Sequence, residues 1–557
     1  MNWDIVKNKY FKMEGSIKGN NYLMKNTILL VALLLSAIFT HAQQQPVTIK
    51  LQATEKWFGS NVVDGSIMPF KPGYSFNMNG NVKGNQAAPL LLSTTGRYLW
   101  SNAAFAFAFS DSTLVISNLN DSLVLGSGGN SLAAAFRAAS KRFFPPSGKV
   151  PDLLLFSNPQ YNTWIELVYN QNQEDILKYA HAIIDNGFPP GVLMIDDNWA
   201  PYYGKFEFRK DRFSDPKKMM HELHFLGFKV MIWVSPFISP DSEVFRELKQ
   251  KKYLLLDPKG DAALTWELAQ EPAVIGWWNG YSAVMDFTNP GAVDWFSAQL
   301  KYLATEYGMD GFKLDAGDPE YYPAGSLSFA PALPNDHTAL WGIFGLQYPL
   351  NEYRAMWKRG GQPLAERLRD KSHTWEDLQR LVADITTSGL LGSAFACPDM
   401  IGGGEFSSFI GKDKLDQALI VRSAQSHALM PMMQFSVAPW RVLDAAHLSA
   451  VKKAVAEREK FVPLILRLTA IAAETGEPIV RKMEYNFPNQ GLVNCNDQFM
   501  LGDSILVAPM TRKGKSRTII FPKGTWEGDD GSKIKGPVSM EIIVPLDRLP
   551  WFRLVKK

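Results

Sequence analysis

Residues 310–323 read DGFKLDAGDPEYYP. Alternation along a strand puts Phe312 and Leu314 on one face and Lys313 and Asp315 on the other. In a parallel barrel the first pair packs under the surrounding helices. The second pair points inward at the strand's C-terminal end, just before Gly317. A buried carboxylate is costly unless paired, and an adjacent lysine favours its ionised form. Two readings follow: a structural Lys–Asp pair, or an ionised carboxylate aimed into a barrel mouth and able to act as a nucleophile.

The flanking sequence repeats this architecture. Apolar runs GVLMIDDNW (191–199), FKVMIWVSP (228–236), GLLGSAFACPDM (389–400) and ALMPMMQFSV (428–437) alternate with helical stretches such as NQEDILKYAHAIIDNG (172–187) and DPKKMMHELHFLG (215–227). Strand and helix alternating over residues 151–475 predict a parallel α/β fold, of a length that suits a (β/α)8 TIM barrel with its active site at the C-terminal strand ends. A doubly wound open sheet is the rival, but no GxGxxG follows the first strand and no P-loop is present.

Two β regions flank the barrel. Runs such as VTIKL (47–51), FAFAFS (105–110) and STLVISNL (112–119) within residues 43–150 predict an N-terminal antiparallel sandwich, with FFPPSGKVP (143–151) as a linker. DSILVAPM (503–510), RTIIFP (517–522) and SMEIIVPL (539–546) predict a C-terminal β domain over residues 476–557. Residues 318–362 are expected to form a lid or a partner contact.

The chain of 557 residues carries a formal net charge of +3, which gives no nucleic-acid or polybasic-membrane signal. Its two cysteines, Cys397 and Cys495, offer neither a disulfide framework nor a CxxC spacing. MKNTILLVALLLSAIFTHAQQQ (24–45) has a lysine, a short apolar run and a Thr40-His41-Ala42 cleavage site, the pattern of a secretory signal. Residues 1–23 then read as an upstream extension, and the mature protein is expected to be periplasmic or secreted, without a membrane span.

A second acidic strand end, Asp196-Asp197, precedes Trp199 and two tyrosines. Carboxylates that accept hydroxyl hydrogen bonds beside an aromatic face suit a sugar ring, and a turn cap is the plainer use for one of the two aspartates. Clustered carboxylates also bind metals, but HExxH, paired histidines and a DxDxDG loop are all missing. No metal or cofactor is expected.

At this point the sequence resembles glycoside hydrolase family 31 across almost the whole mature chain. FKLDAGD (312–318) is similar to that family's nucleophile strand, which implies Asp315 as nucleophile. DRFSDPKKMMHELHFLGFKVMIWVSP (211–236), WWNGYSAVMDFTNPGAVDWF (277–296) and DQFMLGDSILVAPM (497–510) resemble further family segments. RLRDKSHTWEDL (367–378) lacks the family's Trp-Ser-Gly lead-in but keeps an aspartate five residues before a tryptophan, implying Asp370 as acid/base. Asp399 in CPDMIGGG (397–404) is the competitor, with a supporting role in the family.

The resemblance implies a retaining α-glycosidase acting on an α-linked oligosaccharide or glycoside, with Arg367 and Lys313 holding ring hydroxyls and lowering the pKa of Asp315. Trp164, Trp199, Trp233 and Trp278 would wall the pocket. Where glucosidase-like members carry Arg-x-His, this chain has Gln434 and Ser436. That departure resembles the α-galactosidase branch, with Asp196, Asp197 and the Trp164 segment reading the 4-hydroxyl. α-Glucosidase, α-xylosidase and α-N-acetylgalactosaminidase are the alternatives within the family. A carbohydrate-binding barrel without catalysis is the alternative outside it.

Overall fold

Eight short strands, each running parallel to its neighbours, form the central sheet: β1 (Gln160–Asn162), β2 (Val192–Ile195), β3 (Lys229–Val234), β4 (Gly311–Leu314), β5 (Asn351–Tyr353), β6 (Glu366–Arg367), β7 (Ala396–Cys397) and β8 (Gln434–Phe435). Strand β8 pairs with β1 through Gln434↔Gln160 and Phe435↔Tyr161. A single parallel bridge, Met400↔Gln434, joins the end of β7 to β8 and brings the sheet close to a closed barrel. The computed structural model describes residues 45–257, 271–411 and 414–556, so residues 24–42, expected to be a secretory signal, and the stretch 1–23 before them lie outside the described residues.

Strands β2 and β4 are buried along their whole length, as expected of parallel strands covered on both faces. The surrounding helices begin where the sequence supplies caps. Asn172 accepts from the Asp175 amide, Asp215 from the Lys218 amide with Pro216 at the first turn, and Thr374 from the Asp377 amide. A helix of 31 residues, Ala445–Thr475, ends at Gly476, whose φ of 77° is the left-handed conformation glycine adopts freely.

The N-terminal region holds two antiparallel sheets. Strands Val47–Lys50, Thr113–Ser117, Ala106–Phe109 and Ser75–Asn77 form one; Trp57–Asn61, Gln86–Ser93, Arg97–Ser101 and Leu123–Ser127 form the other. The second sheet is extended by Met356–Trp357 from the barrel, paired parallel to Gln86 and Ala87. One apolar cluster runs from these sheets through the barrel, including Phe58, Leu91, Ile195, Tyr353 and Phe435. A six-stranded sheet over Val480–Lys556 follows, with Met483, Trp526 and Phe552 in its own core.

The tract 143–151 connects the N-terminal region to the barrel and is held in place: its Ser147 and Gly148 amides donate to Gly361 O and Ala473 O at 2.9 Å each. Residues 318–362 hold more than a loop: Asp318, Glu320 and Tyr321 line the cavity described below, and a helix, Pro334–Gly345, and then β5 follow.

Candidate active site

The loops after β1–β7 converge on a cavity of about 590 Å³, lined at its inner end by Asp196, Asp197, Trp233, Lys313, Asp315 and Arg367. Asp370, Arg369, Trp164, Tyr169, Glu405 and Phe406 line one flank, and Arg354, Asp318, Tyr321, Trp278, Lys83 and Gly84 the other. Asp315 follows directly on β4, and Asp196 on β2. The C-terminal face of the barrel therefore carries the acidic groups, as the alternation pattern requires.

Asp315 is held by three donors. Its Oδ1 accepts from Arg354 Nε at 2.9 Å and from the Ala316 amide at 2.8 Å, and its Oδ2 accepts from Trp233 Nε1 at 3.0 Å. Burial alone would raise its pKa, but Arg354, Lys313, Arg367 and the Trp233 hydrogen bond together hold it well below the usual carboxylate range. Lys313 acts on Asp315 only through space, because its ammonium bonds Asp196 Oδ2 at 2.6 Å. The group in direct contact is Arg354, which also grips Asp318 at 2.7 Å and 3.0 Å.

The acid/base candidate, Asp370, lies on the same cavity. Its Oδ1 accepts from Arg367 Nη1 at 2.6 Å, and its side chain is 37% exposed against 10% for Asp315. Arg367 is almost wholly buried, and also reaches Asp399 at 2.8 Å and Glu352 at 3.3 Å.

Three cations, Lys313, Arg354 and Arg367, pair with six carboxyls (Asp196, Asp315, Asp318, Glu352, Asp370, Asp399), and Asp197 adjoins them without an ion pair of its own among the described residues. These carboxyls cannot all be ionised cheaply, and the structure separates them. Burial, with Asp196 alongside, pushes Asp197 up to about 7 despite donors from Tyr203 and Asn279. Burial likewise raises Glu352 and Asp399, against the pull of Arg367. Asp315, on which Arg354, Lys313 and Arg367 all act, moves the other way.

Three sequence expectations need correction. Trp199 does not wall the cavity: it is 3% exposed, and its Nε1 donates to Trp233 O at 2.8 Å while its ring packs on Phe208. Asn198, with φ 75°, turns the chain so that the next side chain is directed back into the protein. Trp199→Phe should therefore leave KM within about twofold and lower stability by about 1–3 kcal/mol, the cost of leaving a buried carbonyl unpaired; a denaturant melt with parallel kinetics checks both.

Asp399 does not contact the cavity either. It is 1% exposed and accepts from Arg367, the Lys371 amide and the Gly404 amide, so it positions the Asp370 loop. Nor do Gln434 and Ser436 reach a sugar: both are fully buried. Gln434 Nε2 donates to Gln160 and Glu352, and Ser436 Oγ accepts from the Ile165 amide. The difference at these two positions is absorbed inside the barrel.

Trp164, Trp233 and Trp278 do line the cavity. Trp278 sits at the tip of a hairpin, Val274–Trp277 with Gly280–Val284, and the Arg354 guanidinium lies 5.3 Å from its ring centre. Arg354, Asp318 and Glu352 were missed. Glu352 and Arg354 lie on and just after β5, which is three residues long and has no legible period, whereas Asp318 stands three residues after Asp315 beyond β4. The contribution of the N-terminal region, Lys83 and Gly84, had no local signal.

The geometry agrees with what the chain resembles. The family model for "Glycosyl hydrolases family 31 TIM-barrel domain" matches residues 158–468, and that for "Glycosyl hydrolase family 31 C-terminal domain" matches residues 476–553. The Myogenesis-regulating glycosidase of Mus musculus is 31% identical over 441 residues, covering 76% of this chain and 60% of that protein. Alpha-glucosidase 2 of Bacillus thermoamyloliquefaciens is 25% identical over 416 residues, covering 69% of this chain and 50% of that protein. The chain thus spans only half to three fifths of these relatives' lengths. The GH31 dextranase FjDex31A of Flavobacterium johnsoniae, complexed with glucose, superposes with a TM-score of 0.80 at 18% identity, over 91% of this chain and 66% of that one. At that identity the two share a fold. With a family model covering the barrel from before β1 into the long helix, and a second covering the C-terminal sheet, the chain belongs to glycosyl hydrolase family 31.

Proposed function

We propose that this chain is a retaining α-glycosidase that removes a terminal α-linked sugar by double displacement. The observation that carries the reading is one cavity holding a buried carboxylate fixed in its ionised form, Asp315, together with a more exposed carboxyl, Asp370. Double displacement needs one ionised carboxylate to attack and a second carboxyl to protonate the leaving oxygen and then activate water. Asp315 attacks the anomeric carbon as the glycosidic C–O bond breaks, and Asp370 gives its proton to the departing oxygen. Asp370 then takes a proton from water, which attacks the glycosyl–Asp315 bond and releases both sugar and enzyme. Asp196, Asp197 and the Trp233 ring supply acceptors and an apolar face for the sugar at the closed end, and the exposed Trp278 ring flanks the opening. Export rests on residues 24–42 alone.

For the sugar itself, the names of the relatives favour an α-glucoside over the α-galactoside expected from positions 434–436, whose side chains lie away from the cavity. Hydrolysis of p-nitrophenyl α-glucoside, α-xyloside, α-galactoside and α-N-acetylgalactosaminide tests this directly. The glucoside is expected to be released fastest. Release from the galactoside alone would restore the galactosidase reading, and no release from any of them, nor from natural oligosaccharides, would overturn catalysis.

Asp370→Ala should lower kcat by about 10²–10⁴-fold on a disaccharide whose leaving group needs protonation. The loss should be smaller on an aryl glycoside whose leaving group departs unaided, and azide should restore part of it. An equal loss on both substrates, without rescue, would remove Asp370 from the acid/base role.

A further inference from the structure

A second cavity, of about 760 Å³ and larger than the catalytic one, opens where the Ala445–Thr475 helix meets the C-terminal sheet. Its apolar lining includes Phe461, Leu464, Ile505, Leu549 and Trp551, with Phe461 and Trp551 packed edge to face at 5.1 Å. Five basic and three acidic side chains complete it. The acids are already engaged: Asp547 with Lys453, Asp529 with Arg548, and Glu457 with Lys460 and the Trp551 indole. Arg467 and Arg553 are not, since among the described residues neither guanidinium makes a hydrogen bond or an ion pair.

We infer that this cavity is a binding site for an acidic saccharide, carboxylated or sulfated. The charges left unpaired in the lining are both cationic, and each free guanidinium offers the planar fork that suits a carboxylate or sulfate. An inorganic anion would satisfy the arginines but leave the aromatic lining unused. A sugar ring carrying that anion uses both. The site belongs to different elements from the barrel mouth, so a substrate chain could be held there independently of cleavage.

Trigalacturonate, binding to the Asp315→Asn protein by calorimetry, is the test. One saturable site is expected, weakened at least about tenfold by the Arg467→Ala/Arg553→Ala double variant and partly restored in the Arg467→Lys/Arg553→Lys double variant. The neutral maltotriose should show no binding that depends on these two arginines. Melting temperature rather than hydrolysis establishes that the double variant folds, so the result does not depend on the catalytic reading. Unchanged trigalacturonate affinity in the double variant, no saturable binding at all, or inorganic sulfate binding as tightly as the trisaccharide would each overturn the proposal.

Discussion

Asp315→Asn is expected to reduce kcat on any accepted glycoside by roughly 10⁴-fold or more, since removing a nucleophile removes the route rather than one favourable contact. The substitution preserves shape, and much of the local bonding survives. An amide oxygen at the Oδ1 position still accepts from Arg354 and the Ala316 amide. The amide nitrogen, however, would face the Trp233 N–H, which now donates to Oδ2 at 3.0 Å, so two donors would meet in a buried place. That mismatch should cost about 1–3 kcal/mol of stability. Arg354 keeps Asp318 as its partner, so the charge is not stranded. Sugar binding should therefore persist while turnover disappears. A variant that retains turnover within about tenfold of wild type would show that Asp315 is not the nucleophile. A wild type that binds sugar but cleaves nothing would leave only the carbohydrate-binding barrel.

The nucleophile candidate was legible because its strand is fully apolar on the helix side and ends in acid, so burial and chemistry share one pattern. Asp196 and Asp197 were legible for the same reason. Trp199 was misplaced because the identical cue, an aromatic just past an acidic strand end, ignores a left-handed turn at Asn198 that only the backbone reveals. The Gln434 argument failed differently. Substituting one polar residue for another says nothing about depth, and Gln434 bonds across the barrel to Gln160 and Glu352 below the cavity. In the N-terminal region the strands were visible, but the Leu132–Phe143 helix was not, although Ser131 caps it ahead of an alanine-rich run. Arg354 was beyond reach: it lies 39 residues from Asp315, after a three-residue strand, and only the closure of the barrel brings the two together.

Removal of Arg354 should have the second large effect, and on two properties at once. The residue sits between Asp315 and Asp318 and also donates to Gly84 O, so it ties the catalytic strand end to the N-terminal region. Arg354→Met leaves two buried carboxylates without their cation, a change that costs about 3–5 kcal/mol when a buried pair is broken. The pH dependence has a definite sign. The folded-state pKa of Asp315 is depressed, so the stabilisation is fully present above the unfolded carboxylate value of about 3.9 and is lost as pH falls through the folded value. The stability gap between wild type and Arg354→Met should accordingly be widest near neutral pH and narrow in acid, where the stranded carboxyls protonate. Catalysis should report the same shift. With its strongest cationic neighbour gone, Asp315 protonates at higher pH, and the acid limb of kcat/KM moves upward. Arg354→Lys keeps the charge but cannot hold both carboxylates with a planar fork, so it should fall between the two. Urea melts from about pH 2 to 8 alongside kcat/KM profiles would measure both. An unmoved acid limb in Arg354→Met would mean that Lys313 and Arg367 suffice to keep Asp315 ionised, and Arg354 would then be a structural tie between the barrel and the N-terminal sheets.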